Sequence, residues 1–554
     1  MPMVMEYKML EFQCEKLPDL LPSFFPAVSH DEELARFEPL HIKWKKPIFD
    51  KFMELGGFYY KNGQRIAGNM GGVIPQQWQD QMQPFLDSIP PRDFESIIRP
   101  TIEAELGRPI EEIFSSITEK PLGCASIGQV HRAVLKETGE RVVIKVQDPE
   151  AERTFRGDVF ALRVITDVFF PQGSPAFNEI EKQFATEFDY REEAANGAEI
   201  RSNLKNAGSC FDVAVVPRVH QNLCTKRLLV MEEIYPALPL VQALDRQAEM
   251  IAIQRGMTKE KFLVVEKDRV AREAREAAAE GKLVRHYTAN TMARYIEAQK
   301  MRWRWSLWGK QAYNWTVAQL TRRPYDLSTG SQSKTSSVLV PMNIAKLVDD
   351  LFAVHGQEIL IDGCFNADPH PGNILFIDGG AGEDQLGLID YGQVKRLNDD
   401  FRLNLAKTFL LTHHAIMADP RVNPAVPLEV HLRAKESIAQ HMTSFGFKSK
   451  HMHPDTMYDM CTVYFGRDDA TWLYPHNFIQ WTDALQAKDP LGSLDEIEDA
   501  VMVSMVGLYL RGLGHALQQP RNIAEAWAPF AERALEEAGR LQEVEGVIKS
   551  WSSK

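Results

Sequence analysis

No apolar run in this chain of 554 residues is long enough to cross a bilayer as a helix. The nearest approach, Val501 to Leu510, is ten residues long and lies between Asp499 and Arg511. Cysteine is scarce. The six present, at 14, 124, 210, 224, 364 and 461, form no C-x-x-C pair, which argues for a reducing compartment and against structural zinc. Basic charge is not in excess: 63 Lys and Arg against 76 Asp and Glu leave −13, so the surface as a whole is no nucleic-acid footprint. Neither G-x-x-x-x-G-K-[ST] nor H-E-x-x-H occurs, which leaves P-loop and zincin chemistry without an anchor. The first residues are too acidic for an organellar presequence (Glu6, Glu11, Glu15, Asp19, Asp31) and hold no signal-peptide core. A cytoplasmic protein, or one whose targeting segment is unusual, is expected.

What is present is ordinary globular composition, 44% apolar and 25% charged, in a chain too long for one core. Residues 1–116 read as a helical extension with Pro-rich joints at Pro84, Pro90–Pro91 and Pro100. From 117 to 240 short β-rich runs surround one helical stretch, and Val130–Leu135 and Arg141–Gln147 form a hairpin whose turn falls at Gly139. An insertion covers 241–342, helical at first and linker-like at Ser328–Ser337. A helical unit over 343–520 and a helical tail over 521–554 complete an α+β, two-lobed plan.

The chemistry concentrates in Phe365-Asn-Ala-Asp-Pro-His-Pro-Gly-Asn373 and Leu388-Ile-Asp-Tyr-Gly392. Ile374–Ile377 and Leu386–Ile389 can pair antiparallel with Ile374 opposite Ile389, which brings Asn373 beside Asp390. Asp368 lies five residues earlier in a loop stiffened by Pro369 and Pro371. Two carboxylates and one amide oxygen are hard donors suited to Mg²⁺, with one acid to spare as a base. This is the spacing of a kinase catalytic loop, D-x-x-x-x-N followed by D-x-G. Phosphoryl transfer also needs a phosphate-covering hairpin and a strand lysine upstream. Gly123-Cys-Ala-Ser-Ile-Gly-Gln-Val-His131 and Val142-Val-Ile-Lys145-Val supply both. An ammonium among β-branched residues is costly unless paired. The bland alternatives, an acidic hairpin and a strand-edge lysine, do not account for the order of all the parts.

With these motifs the chain resembles the UbiB/ADCK (AarF-domain) atypical kinases from about 55 to 415, interrupted by the insertion. The family's K-x-G-Q appears as Lys61-Asn-Gly-Gln64, its alanine-rich loop as Gly123–His131, its E-x-D as Glu187-Phe-Asp189, and its catalytic and metal motifs as Ala367–Asn373 and Asp390–Gly392. The resemblance implies a bilobal protein-kinase-like fold that binds ATP and Mg²⁺. Gly123, Ala125, Ser126, Ile127 and Gly128 would cover the nucleotide. Lys145 would hold phosphates and pair with Glu193. Asp368 would be the base, and Asn373 and Asp390 would hold the metal. Met231 and Glu232, within a hinge at Val230–Glu233, would meet the adenine. Lys61, Gln64, Glu187 and Asp189 would regulate access to the cleft; on a helix Glu187 and Glu193 point apart and can serve different lysines.

The family loop usually carries alanine where this chain has Gly123, which gives the loop more freedom. Cys124 is not expected to be a reactive thiol. The implied activity is ATPase-coupled support of isoprenoid-quinone or other lipid metabolism, in a mitochondrion or plastid. A non-catalytic ATP-sensing scaffold and a small-molecule kinase are the rival classes. In the insertion, Trp303, Trp305, Trp308 and Trp315 fall within 13 residues, and seven basic residues stand against one acid from Arg294 to Arg323. That combination suits a helix on an anionic membrane or an isoprenoid lipid, or a helix packed on the body with solvated basic flanks.

Overall fold

The computed structural model describes residues 2–16, 30–56, 59, 63, 76–82, 90–124, 127–169, 188–208, 212–279, 288–321, 342–379, 384–467, 478–490 and 498–552. Lys61, Gln64, Ala125, Ser126 and Glu187 lie outside them, as does the linker composition at 328–337. Among the described residues no helix is long and apolar enough to cross a membrane.

The protein is α+β and bilobal. Its smaller lobe is an antiparallel sheet of β1 (Phe114–Ile117), β2 (Gly123–Cys124), β3 (Gly128–Leu135), β4 (Arg141–Gln147) and β6 (Leu228–Glu232), ordered β1-β3-β4-β6 with β2 on β3; the short β5 is Ala214–Val215. Gly139, at φ +70°, closes the β3–β4 hairpin, a backbone shape that glycine adopts without a Cβ penalty. The two-residue period of β4 sorts its side chains. Val142, Ile144 and Val146 pack with Ile98, Ile102 and Phe114 on one face. Val143 turns to the other, toward Phe155, Tyr190 and Met231. Lys145 shares that second parity, so the sheet aims its side chain at the helix Tyr190–Asn206.

The larger lobe surrounds Phe352, Phe365, Phe409 and Trp527. Trp527, on the helix Ile523–Glu537, is fully buried, stacks edge-on against Phe409 at 4.9 Å and donates its indole N–H to Phe352 O at 2.8 Å. Its strands are β7 (Leu238–Pro239), β8 (Cys364–Asn366), β9 (Ile374–Ile377), β10 (Gln385–Leu388) and β11 (Val394–Arg396). β5, β10, β9 and β7 form one sheet, and β8 pairs with β11.

Two local expectations change. The β9–β10 hairpin sets Ile374 opposite Leu388, not Ile389. β10 also pairs in parallel with β5, Leu386 beside Ala214, and this third strand fixes which side of β10 is buried. A one-residue slip would turn Leu386 and Leu388 to the wrong face. The helix carrying Glu193 begins only at Tyr190, because Asp189 is extended (φ −128°, ψ 97°) and caps it. A helical angle between Glu187 and Glu193 therefore does not apply.

Candidate functional site

Lys145 is 8% exposed, and its Nζ donates to both carboxylate oxygens of Glu193, at 2.8 and 2.9 Å. It also donates to Asp390 Oδ2 at 3.2 Å, and sits 5.1 Å from the centre of the Tyr190 ring. Burial alone would discharge this amine. The Asp390 and Glu193 carboxylates override it and hold the ammonium well above the usual lysine range. The triad joins three elements from both lobes: a strand of the sheet, the helix beneath it and the loop after β10.

Glycine permits the approach of the acids. A Cβ at Gly392 would stand 3.3 Å from Asp390 Oδ1 and 3.7 Å from Glu193 Oε2. The Gly392 N–H instead donates to Asp390 Oδ1 at 3.0 Å and fixes the carboxylate's rotation. Gly128 is constrained more tightly. A Cβ there would clash with Val146 O and stand 2.9 Å from Tyr190 Oη, so its identity is required by packing whatever it does for a ligand. Gly123, by contrast, has nothing within 4 Å of an added Cβ, so space does not account for glycine in place of the family's alanine. Burial raises the Cys124 thiol, which keeps it protonated and unreactive.

The catalytic-loop residues are held as one circuit of hydrogen bonds. Asp368 O accepts from His370 N (2.7 Å), His370 O from Asn373 N (2.9 Å), and Asn373 O from Ile389 N (3.2 Å), which brings Asn373 to the residue before Asp390. Asn366 closes the circuit. Its Oδ1 accepts from Asp368 N at 2.9 Å and its Nδ2 donates to Asp390 O at 2.9 Å. Sequence reasoning alone assigns Asn366 no role. The available signal was its place on a strand two residues before the aspartate, but its two partners lie on different loops.

The other predicted residues fall as follows. Ile127 is buried in the core of the smaller lobe, and Asp148 donates its N–H to Ile127 O at 2.9 Å. Asp189 caps the Glu193 helix by accepting from Arg191 N at 3.1 Å, and is paired with the Arg191 guanidinium. Met231 and Glu232 end β6. Glu232 N already donates to Arg218 O at 2.8 Å and Glu233 N to Arg141 O at 3.0 Å, so those two N–H groups are committed within the protein. Glu233 is anchored further by Arg132 and Arg141, at 2.6 and 2.8 Å.

Below the site, Glu358 is fully buried. Its Oε2 accepts from Asn366 N at 3.2 Å, while Oε1 and the hydroxyl of Tyr391 are buried without a hydrogen-bond partner among the described residues. Burial pushes the Glu358 carboxyl up to about 8. In the unfolded chain it ionises near 4.5. Between those values the folded state holds a proton that the unfolded state releases, so this group's contribution falls as pH rises through that window. Glu358→Gln is expected to gain stability over wild type on the order of a few kcal/mol at pH 8 and little at pH 5. Urea unfolding at the two pH values checks this, and an equal difference at both would contradict it.

The ABC1 atypical kinase-like domain matches residues 84–260 and 333–418. This chain carries a domain of the ABC1 atypical kinase-like family. The chain is 34% identical over 192 residues to "Probable protein kinase UbiB" of Shewanella loihica, covering 33% of this chain and 34% of that protein. It is 34% identical over 216 residues to "Protein ACTIVITY OF BC1 COMPLEX KINASE 1, chloroplastic" of Arabidopsis thaliana, covering 37% of this chain and 30% of that protein. The chain thus spans about a third of the length of these curated relatives. A solved structure, "The complex structure of Rv3197-erythromycin from Mycobacterium tuberculosis", aligns over 92% of this chain and 98% of that one, with a TM-score of 0.42 and 17% identity.

The donor set of the kinase-like domain fits a magnesium-bound phosphate better than a protein-only metal cage. Among the described residues no group of three or more His, Cys, Asp or Glu side chains could hold a metal ion. Magnesium commonly takes one or two carboxylates and completes its shell with water and substrate phosphates. Asp390, with a third of its side chain exposed, and the half-buried Asn373 supply oxygens of that kind.

Proposed function

We propose that this protein is an atypical kinase-like ATPase or phosphotransferase that binds Mg-ATP between its lobes and supports isoprenoid-quinone or other lipid metabolism. The observation that carries the reading is the buried Lys145 ammonium, shared between Glu193 of one lobe and Asp390 of the other. A buried cation with two acids is expensive to keep for structure alone. Facing a triphosphate, it has a use.

In this reading Lys145 turns part of its charge to the phosphates while Glu193 keeps it oriented. Asp390 and Asn373 would hold Mg²⁺, which neutralises phosphate charge when bound. Asp368, set by the Asn366 circuit, accepts the proton of the attacking hydroxyl or water. The adenine edge would be met by carbonyl groups of the Met231–Glu232 stretch and by the segment from Ile234 onward, since the Glu232 and Glu233 N–H groups are committed. Gly123, Ala125, Ser126, Ile127 and Gly128 would cover the phosphates, and Lys61, Gln64, Glu187 and Asp189 would govern entry. The relative from Arabidopsis thaliana, named as chloroplastic, supports a plastid as the compartment.

Nucleotide titration of the purified chain, with Mg²⁺ and with EDTA, tests the assignment. ATP affinity should rise at least tenfold with Mg²⁺ in the wild type, and most of that gain should vanish in Asn373→Ala. An Asn373→Ala chain that keeps the full magnesium effect would remove this residue from the metal site. A scaffold that only senses ATP would bind equally well yet release no phosphate.

A further inference from the structure

Residues 261–332 fall between the two matched segments of the kinase-like domain, and the cleft just described draws no side chain from them. The whole of the helix Ala289–Thr321 lies there. It is fastened near its beginning. Ile296 is 3% exposed, and Asn343 donates Nδ2 to Ala289 O at 3.0 Å. Further along, Met301, Trp305, Trp308 and Trp315 are 52%, 74%, 68% and 67% exposed.

Their spacing makes these four a stripe. At about 100° per residue they fall within an arc of roughly 80°, whose middle lies about 140° from Ile296. The side that holds the helix to the protein is therefore the side away from the indoles. Charge borders the stripe. The helix has five basic residues (Arg294, Lys300, Arg302, Arg304, Lys310) and one acid, Glu297, which is already paired with Lys300 at 2.9 Å. Arg302 and Arg304 are both exposed.

An aligned row of large apolar rings in water marks a contact surface. Indole is suited to one environment in particular, the boundary between headgroups and acyl chains, where its body is buried and its N–H stays hydrated. Cations on both flanks then meet anionic headgroups. A second copy of this helix is a poorer occupant, because pairing would bring Arg302 and Arg304 against like charges.

We infer that the helix Ala289–Thr321 lies on a lipid bilayer bearing anionic headgroups, with Met301, Trp305, Trp308 and Trp315 sunk at its surface. The inference is independent of the nucleotide reading and survives its failure.

Flotation of the full chain with vesicles tests it, using phosphatidylcholine alone and phosphatidylcholine containing about a third phosphatidylglycerol. The wild type should float with the anionic vesicles at least tenfold better than with the neutral ones, and added salt should weaken this. The triple variant Trp305→Ala/Trp308→Ala/Trp315→Ala should lose binding to both. Arg302→Gln/Arg304→Gln should lose only the preference for anionic lipid. Equal flotation of wild type and the tryptophan variant overturns the proposal. A wild type that ignores vesicles but sediments as a dimer, dissociated by the tryptophan variant, replaces the bilayer with a second copy.

Discussion

Asp390→Asn is expected to lower ATP turnover by on the order of 10³-fold while leaving the protein folded. The substitution keeps an oxygen that can accept from Gly392 N, now at 3.0 Å from Oδ1. Backbone contacts survive too, because Asn366 Nδ2 binds the carbonyl of Asp390 rather than its side chain. What disappears is one negative charge, at the point where a magnesium ion and the Lys145 ammonium would share it. A neutral amide oxygen is a weaker ligand for a hard cation. Phosphate release measured on matched samples, with thermal unfolding as the control for folding, gives the result. Equal turnover by variant and wild type would show that the metal is held elsewhere.

The second large effect is on stability. Lys145→Ala is expected to cost about 3–5 kcal/mol, more than the loss of the contacts themselves, because it strands the Glu193 carboxylate in the interior. Glu193 has 5% of its side chain exposed, whereas Asp390 has 33% and can turn to water. The cost therefore falls mainly on one acid. Replacing both partners, Lys145→Met with Glu193→Leu, removes the charge along with its counter-charge and should return most of the lost stability. Denaturant unfolding of Lys145→Met, Glu193→Leu and the double variant completes the cycle. If the double variant is as unstable as Lys145→Ala, the penalty comes from lost packing and not from an isolated carboxylate. The variants that lack Lys145 should also fail to hold phosphate charge, which separates the two functions of the pair.

Much of this was legible in the chain. The Gly139 hairpin, the β-branched run of β4 and the helix that begins after Asn343 are local patterns, and they appear where the residues place them. The order of loop, lysine, acidic helix, D-x-x-x-x-N and D-x-G is linear information and needs no coordinates. Register was harder. The β9–β10 hairpin alone permits Ile374 opposite Leu388 or Ile389, and the choice rests with β5, about 170 residues earlier in the chain. The start of the Glu193 helix depends on a cap at Asp189 that periodicity by itself does not reveal.

Residue types and spacings thus determined which groups could carry phosphate chemistry. Tertiary structure decided which groups meet. Glu192 and Glu193 are chemically alike neighbours, yet only Glu193 turns inward to the lysine. Asn366 became the tie between two aspartates because β8 runs beneath both of their loops. The same folding left three tryptophans facing outward on a helix whose composition alone allowed either side to be buried. The physical reason is common to all three: side-chain chemistry is written locally, whereas burial and pairing depend on partners that arrive from distant parts of the chain.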